Sequence, residues 1–170
     1  MIAKQWIQNE DRVARSMRTE RLQWLLENTP QNEIWLFHAG NLNYELFEQM
    51  RYSYVYCQDL SVILLGLSFI EHTLASLLYE SGRDDLARKN LSLLVQEARK
   101  NLLIDSEEEA SIEEARKIRN DITHFRTPTE NSSIDWQTKY NRETFFSVIN
   151  INAKKIVKVC FLLMNKFSPR

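Results

Sequence analysis

Residues 115–126 read ARKIRNDITHFR. Four basic side chains, Arg116, Lys117, Arg119 and Arg126, surround the pair Asn120-Asp121, and His124 is one of three histidines in the chain. This is a set of residues that can handle phosphate. Cutting RNA without a metal needs a base for the 2′-OH proton, an acid for the 5′-oxygen and a cation for the phosphorane. Histidine titrates closest to neutrality and serves as either acid or base. Arginine stays charged, and its planar fork matches two phosphate oxygens. Asn120 can orient the imidazole or donate to a phosphate oxygen.

Geometry complicates that reading. At ~100° per residue, Arg119 and His124 lie about 140° apart around an unbroken helix, whereas Asn120 and His124 share a face. Either Arg119 reaches round on its long stem or the helix unwinds near Thr123. A single histidine also cannot hold both proton-transfer roles at one instant, and a two-fold dimer with two Arg–His sets around one cleft removes both difficulties. The plainer alternative is a solvated helix end. Basic residues at a C-terminus oppose the negative end of the dipole, and His124 then only caps it.

The elements that must position these residues are helical. Three glycines and three prolines in 170 residues are too few for the turns of a β-rich fold. Hydrophobic residues at 44% and charged residues at 26% suit one globular domain. The formal net charge of −1 requires any nucleic-acid contact to come from a local patch. We therefore expect an all-α bundle of about five to six helices in up-and-down packing, forming one domain over 1–170. Helices of unassigned role occupy 1–50, and a core occupies 52–167.

Along the chain, residues 2–27 read as a charged helix with Trp6, Val13, Met17, Trp24 and Leu25 on a loose stripe, stopped by Thr29-Pro30. A second helix is expected from about Asn32 to the early fifties, with Gly40-Asn41 a point of interruption. Tyr52 to Glu80 should form the central buried helix, closed by Gly82. Asp84 or Asp85 can cap the next, whose apolar face is Leu86, Leu91, Leu94, Val95 and Ala98. Ser106 with Glu109 has the capping-box pattern for the helix that runs to His124 through Ile112, Ala115 and Ile118. Thr127-Pro128 and the run TENSSIDWQ make a loop of roughly fifteen residues, long enough to suggest function or mobility. A last helix covers about Arg142 to Lys166, with Phe145, Ile149, Ile156, Val159, Phe161 and Leu163 facing inward.

An all-helical chain with Arg119, Asn120 and His124 in the order RNDITH, on a helix approached by IEEARKI, resembles the HEPN superfamily. The likeness is close over about 112–126 and looser, as fold pattern, from Tyr52 onward. It implies a HEPN-like bundle and a metal-independent endoribonuclease with no cofactor. The active site is then expected at the interface of a homodimer, the substrate is RNA, and a cognate antitoxin or defence-system protein is the expected partner. Arg119, Asn120 and His124 would be catalytic, and Arg116, Lys117 and Arg126 would bind RNA. The resemblance equally admits a non-catalytic module that binds RNA, nucleotide or a protein. Glu71 resembles the acidic residue many members carry on an earlier helix, and it joins Asp121 as a candidate for a supporting role. The fuller acidic-then-basic pattern is missing, because EHTLASLL contains no Lys or Arg. Some members carry a modifiable Tyr two residues beyond the His, where this chain has Arg126.

The other candidates read as structural. Cys57 and Cys160 lack partners at ligand spacing, so reduced thiols are expected and a metal site is not. His38, in WLFHAG, sits among aromatic residues and reads as a packing histidine. Lys154, Lys155 and Lys158 suit a solvated face. No apolar signal core opens the chain, and SVILLGLSFI is too short to cross a bilayer, so a cytoplasmic protein without membrane contact is expected.

Overall fold

The computed structural model describes residues 2–31, 34–86 and 88–168. Among them are seven α-helices, α1 Ala3–Asn28, α2 Gly40–Val55, α3 Asp59–Glu80, α4 Leu91–Lys100, α5 Ser106–Thr123, α6 Ile134–Asn141 and α7 Phe145–Phe167, plus a 3-10 turn at Asp84–Leu86. The fold is all-α, with more helices than the five to six expected.

α3 is the centre. It packs on α2 and α7 and also touches α4 and α5. By length and composition α3 could cross a membrane. Here its apolar side chains, among them Val62, Ile63, Leu67, Phe69, Ile70 and Leu74, fill the middle of the bundle. Gly66 makes the close packing feasible. A Cβ there would collide with the Ile156 side chain of α7 and lie 3.2 Å from Met50 Sδ of α2. The adjacent Cys160 donates its thiol to the Gly66 carbonyl at 3.6 Å, and its complete burial pushes that thiol's pKa up. Both cysteines are free.

Several boundaries differ from expectation for local reasons. The expected long helix from Tyr52 is broken at Cys57, which takes the left-handed conformation (φ 60°). The N–H groups of Cys57 and Gln58 donate back to the carbonyls of Tyr54 and Ser53, closing α2 with a Schellman turn. Gly82 (φ 85°) closes α3 in the same way, as expected, and Leu102 (φ 57°) closes α4. Few glycines are needed because other residues occupy these positions. The expected second-helix start at Asn32 lies outside the described residues; residues 34–39 are not helical, and α2 begins at Gly40. Phe47, Met50 and Tyr54 of α2 are fully buried, so the expected divide near residue 51 falls inside an element of the core. The cap of α4 is Asn90 rather than Asp84 or Asp85, its side chain accepting from the Leu93 N–H at 3.0 Å.

α1 is attached mainly by its last third. Leu25 is its one buried side chain, while Trp6, Val13 and Met17 of the expected stripe stay exposed. Arg21 makes the anchor, with Nη1 and Nη2 on the two Asp59 carboxylate oxygens at 2.5 and 2.8 Å and Nη1 also on the Tyr54 carbonyl at 3.0 Å.

Candidate functional site

α5 carries the RNDITH segment, and its two ends are built differently. At the start, the cap is Asp105 rather than Ser106. Its carboxylate accepts from the Glu107 and Glu108 N–H groups at 2.9 Å, and Glu108 accepts from the Asp105 N–H at 2.7 Å. These bonds hold the Asp105 carboxyl below its usual range. Glu108 also pairs with Lys166 of α7. Ile112, Ala115 and Ile118 then bury one face, as expected.

At its other end the helix unwinds just before the histidine. α5 stops at Thr123, whose hydroxyl bonds the Arg119 carbonyl at 2.9 Å. His124 is already extended (φ −107°, ψ 136°), its N–H donating to the Asn120 carbonyl at 3.1 Å. The imidazole is thereby released from helical geometry and stands exposed. Phe125 follows with 89% of its surface in solvent.

His124, Asp121 and Arg126 line one cleft of about 310 Å³, walled by Leu60, Ile122, Phe125, Ile134, Phe145 and Ile149. Burial raises the Asp121 carboxyl above the usual carboxylate value, and the Arg126 guanidinium pulls against that rise. A carboxyl that keeps its proton more readily thus shares the cleft with an imidazole. Arg126 reaches Asp121 at 3.8 Å and Glu130 at 3.9 Å, both long for ion pairs.

Arg119 and Asn120 do not line that cleft within one protomer. They hold each other, with Arg119 Nη1 donating to Asn120 Oδ1 at 3.2 Å. Asn120 therefore orients the arginine rather than the imidazole. Among the described residues, half-buried Arg119 has no carboxylate partner, whereas Arg116 is tied to Glu113 at 2.7 Å. Lys117 is exposed.

Glu71 lies elsewhere. With His72, Ser76, Tyr79, Arg88 and Lys89 it lines a separate cleft of about 360 Å³, and it makes no pair with Arg119. His38 packs edge-on to Phe167 and places Nδ1 3.1 Å from a Glu80 oxygen. Lys154 lies over the Trp24 ring and Lys155 bonds Glu114 at 2.7 Å, while Lys158 is exposed with no ion pair among the described residues. Among the described residues, no three His, Cys, Asp or Glu side chains gather as a metal-ligand set.

The sequence reading missed α6 within the expected loop. Its signal was present: Ser133 caps it by accepting from the Trp136 N–H at 3.0 Å, Asp135 occupies the first turn, and Trp136 and Tyr140 stand one turn apart. Ser133, Ile134 and Asp135 form one side of the His124 cleft. Phe145, expected to face inward, is 43% exposed because it lines the cleft's opposite side.

No known family model, no curated protein and no solved structure matches this chain.

Proposed function

We propose that this chain is a metal-independent endoribonuclease of the HEPN type, acting in the cytoplasm as the toxin or effector of a toxin–antitoxin or phage-defence system. The observation that carries the reading is the end of α5. There a carboxylate-free arginine, held by Asn120, precedes a histidine that is freed from the helix and exposed on a cleft. His124 removes the 2′-OH proton, the 2′-oxygen attacks phosphorus, and the bond to the 5′-oxygen breaks as that oxygen takes a proton from the protonated His124 of the second copy. Arg119 stabilises the phosphorane, and the products are a 2′,3′-cyclic phosphate and a 5′-OH. Arg119 of one protomer lies off the His124 cleft, so the working site is composite, formed where two copies meet about a two-fold axis. Exposed Leu60, Phe125 and Phe145 border the cleft, and exposed Phe146 packs edge-on to Phe145; together they supply apolar area for that contact.

The test is incubation of the pure protein with total RNA in excess EDTA, beside His124→Ala. Metal-free cleavage by wild type alone supports the reading, and cleavage that chelation stops overturns the mechanism. A monomeric mass at micromolar concentration with full activity removes the composite site.

A second reading, a non-catalytic HEPN module that binds RNA, nucleotide or a protein partner, is favoured by the same separation of Arg119 from the cleft. It is distinguished by binding without cleavage.

A further inference from the structure

Beyond the cleft, the least expected feature is the outer surface of α6. Trp136 and Tyr140, one turn apart, stack with ring centroids 4.5 Å apart and planes within 11°. Tyr140 is 71% exposed and Trp136 half-buried, so the outer ring of the stack faces solvent. An aromatic pair of this kind stiffens a short helix whether or not its outer ring is free, and need have no further role. Three further observations separate this pair from that role.

The stack is joined to the cleft, since Ser133, Ile134 and Asp135 at the start of α6 share it with His124 and Arg126. At 1.5 Å per residue, Tyr140 stands about 10 Å along the helix from Ser133. The neighbouring cations are unpaired: Lys139 and Arg142 are exposed and make no ion pair among the described residues, with Asp135 one turn before Lys139 and with Glu143 accepting from the Ser147 hydroxyl at 2.8 Å. Finally, the exposed large apolar side chains on α6 and just after it, Tyr140, Phe145 and Phe146, are all aromatic. A flat ring with cations beside it suits a nucleobase and its phosphate better than it suits an aliphatic protein surface.

We infer that α6 is a base-stacking platform for single-stranded RNA, with an unpaired base lying on Tyr140 and the adjoining phosphates on Lys139 and Arg142. The inference rests on the RNA-cleaving reading above and makes its substrate unpaired RNA. A duplex keeps its bases stacked on each other and offers no free face to Tyr140.

The experiment measures binding of a labelled, unstructured oligoribonucleotide, and of the same strand in a duplex, to full-length His124→Ala protein that leaves the RNA intact. Adding Tyr140→Ala should weaken single-strand binding about 5- to 150-fold, as loss of one base–aromatic stack does. Tyr140→Phe, which keeps the ring, should bind like the parent, and duplex binding should not respond to either change. Replacing Lys139 and Arg142 with Ala should reduce the slope of log K against log salt by about 1.4, the share of two phosphates on a single strand. Equal binding by the parent and Tyr140→Ala overturns the platform and leaves the nuclease reading intact. A Tyr140→Ala protein that changes oligomeric mass but not RNA affinity also overturns it, making the stack a protein contact. A parent that binds no RNA overturns both readings.

Discussion

Two arginines divide the molecule. Arg21 lies in the core end of the bundle with both guanidinium prongs on Asp59, a backbone carbonyl as third acceptor and its Cζ 5.0 Å from the Tyr54 ring centre. Arg119 lies at the other kind of place, half-buried, held by an amide and matched by no carboxylate among the described residues. A cation that serves the fold is neutralised where it sits, because an unpaired buried charge is costly. A cation that serves a ligand has to wait with its charge uncommitted. The sequence around Arg21 is just as rich in charge as that around Arg119, so composition does not separate them; their partners do.

The largest expected effects test the uncommitted end. His124→Ala should lower RNA cleavage ~10²–10⁴-fold, the usual contribution of general acid–base catalysis. Arg119→Ala should cost ~10²–10³-fold, and Arg119→Lys should recover little, because an ammonium lacks the two-pronged fork. Asn120→Ala should fall between these and wild type, since it frees the arginine without removing it. None should change the melting temperature, as these side chains pay no part in the core. Thermal melts beside EDTA-treated cleavage assays check both halves. A variant that loses activity by unfolding would erase the distinction between the two arginines.

The committed end should respond the other way. Asp59→Ala leaves the part-buried Arg21 guanidinium without its counterion, a change that costs ~3–5 kcal/mol for a fully buried pair and should approach the low end of that range here. Urea unfolding should show this destabilisation, while cleavage per folded molecule stays near wild type. Replacing both partners together, Arg21→Met with Asp59→Leu, should restore most of the stability, because packed apolar groups of similar volume substitute well for a buried pair.

How much of this was legible beforehand follows the range of the forces involved. Helical periodicity is local, so α1, α5 and α7, and the apolar faces of α4 and α5, could be read from the chain. The release of His124 was one of two open alternatives, and the structure takes the unwound one. The Arg21–Asp59 clamp was not legible, because 38 positions separate the two residues and only the packing of α1 brings them together. The breaks at Cys57 and Leu102 escaped for a different reason, since neither residue type announces a left-handed turn. α6 was concealed by its short length inside a polar run, although its cap was in plain view.

A pH titration probes a flaw in the committed end. Tyr54 is fully buried beside Arg21, and its hydroxyl finds no hydrogen-bond partner among the described residues. Burial raises the phenol from its ordinary value of 10.0 to about 12, with the Arg21 charge pulling against that rise. A raised folded value means the folded state holds the proton that the unfolded chain releases. The contribution to stability is therefore complete below the ordinary value and declines as pH rises from there toward about 12. Tyr54→Phe should remove this alkaline loss, seen as a flatter stability curve between about pH 10 and 12, and should cost little near pH 7, since no hydrogen bond goes with the hydroxyl. An unchanged alkaline limb would place the titrating group elsewhere.

The smallest effect separates backbone strain from function. Leu102 closes α4 at φ 57° with its side chain 81% exposed, while Gly82 closes α3 with the same hydrogen bonds at φ 85°. A side chain in this conformation costs roughly 1–2 kcal/mol, and a glycine there gives back about 0.5–1 kcal/mol through the freer unfolded chain. Leu102→Gly should therefore stabilise by up to about 1 kcal/mol, a rise of ~2–4 °C in Tm for a domain of this size. Gly82→Ala should shift the melt the opposite way by a similar amount. Cleavage should be untouched in both, because neither turn borders the His124 cleft. If Leu102→Gly instead lowered activity while raising Tm, strain at the α4–α5 connection would be coupled to the site, and a free charge would no longer be the mark that sets the working end of the molecule apart.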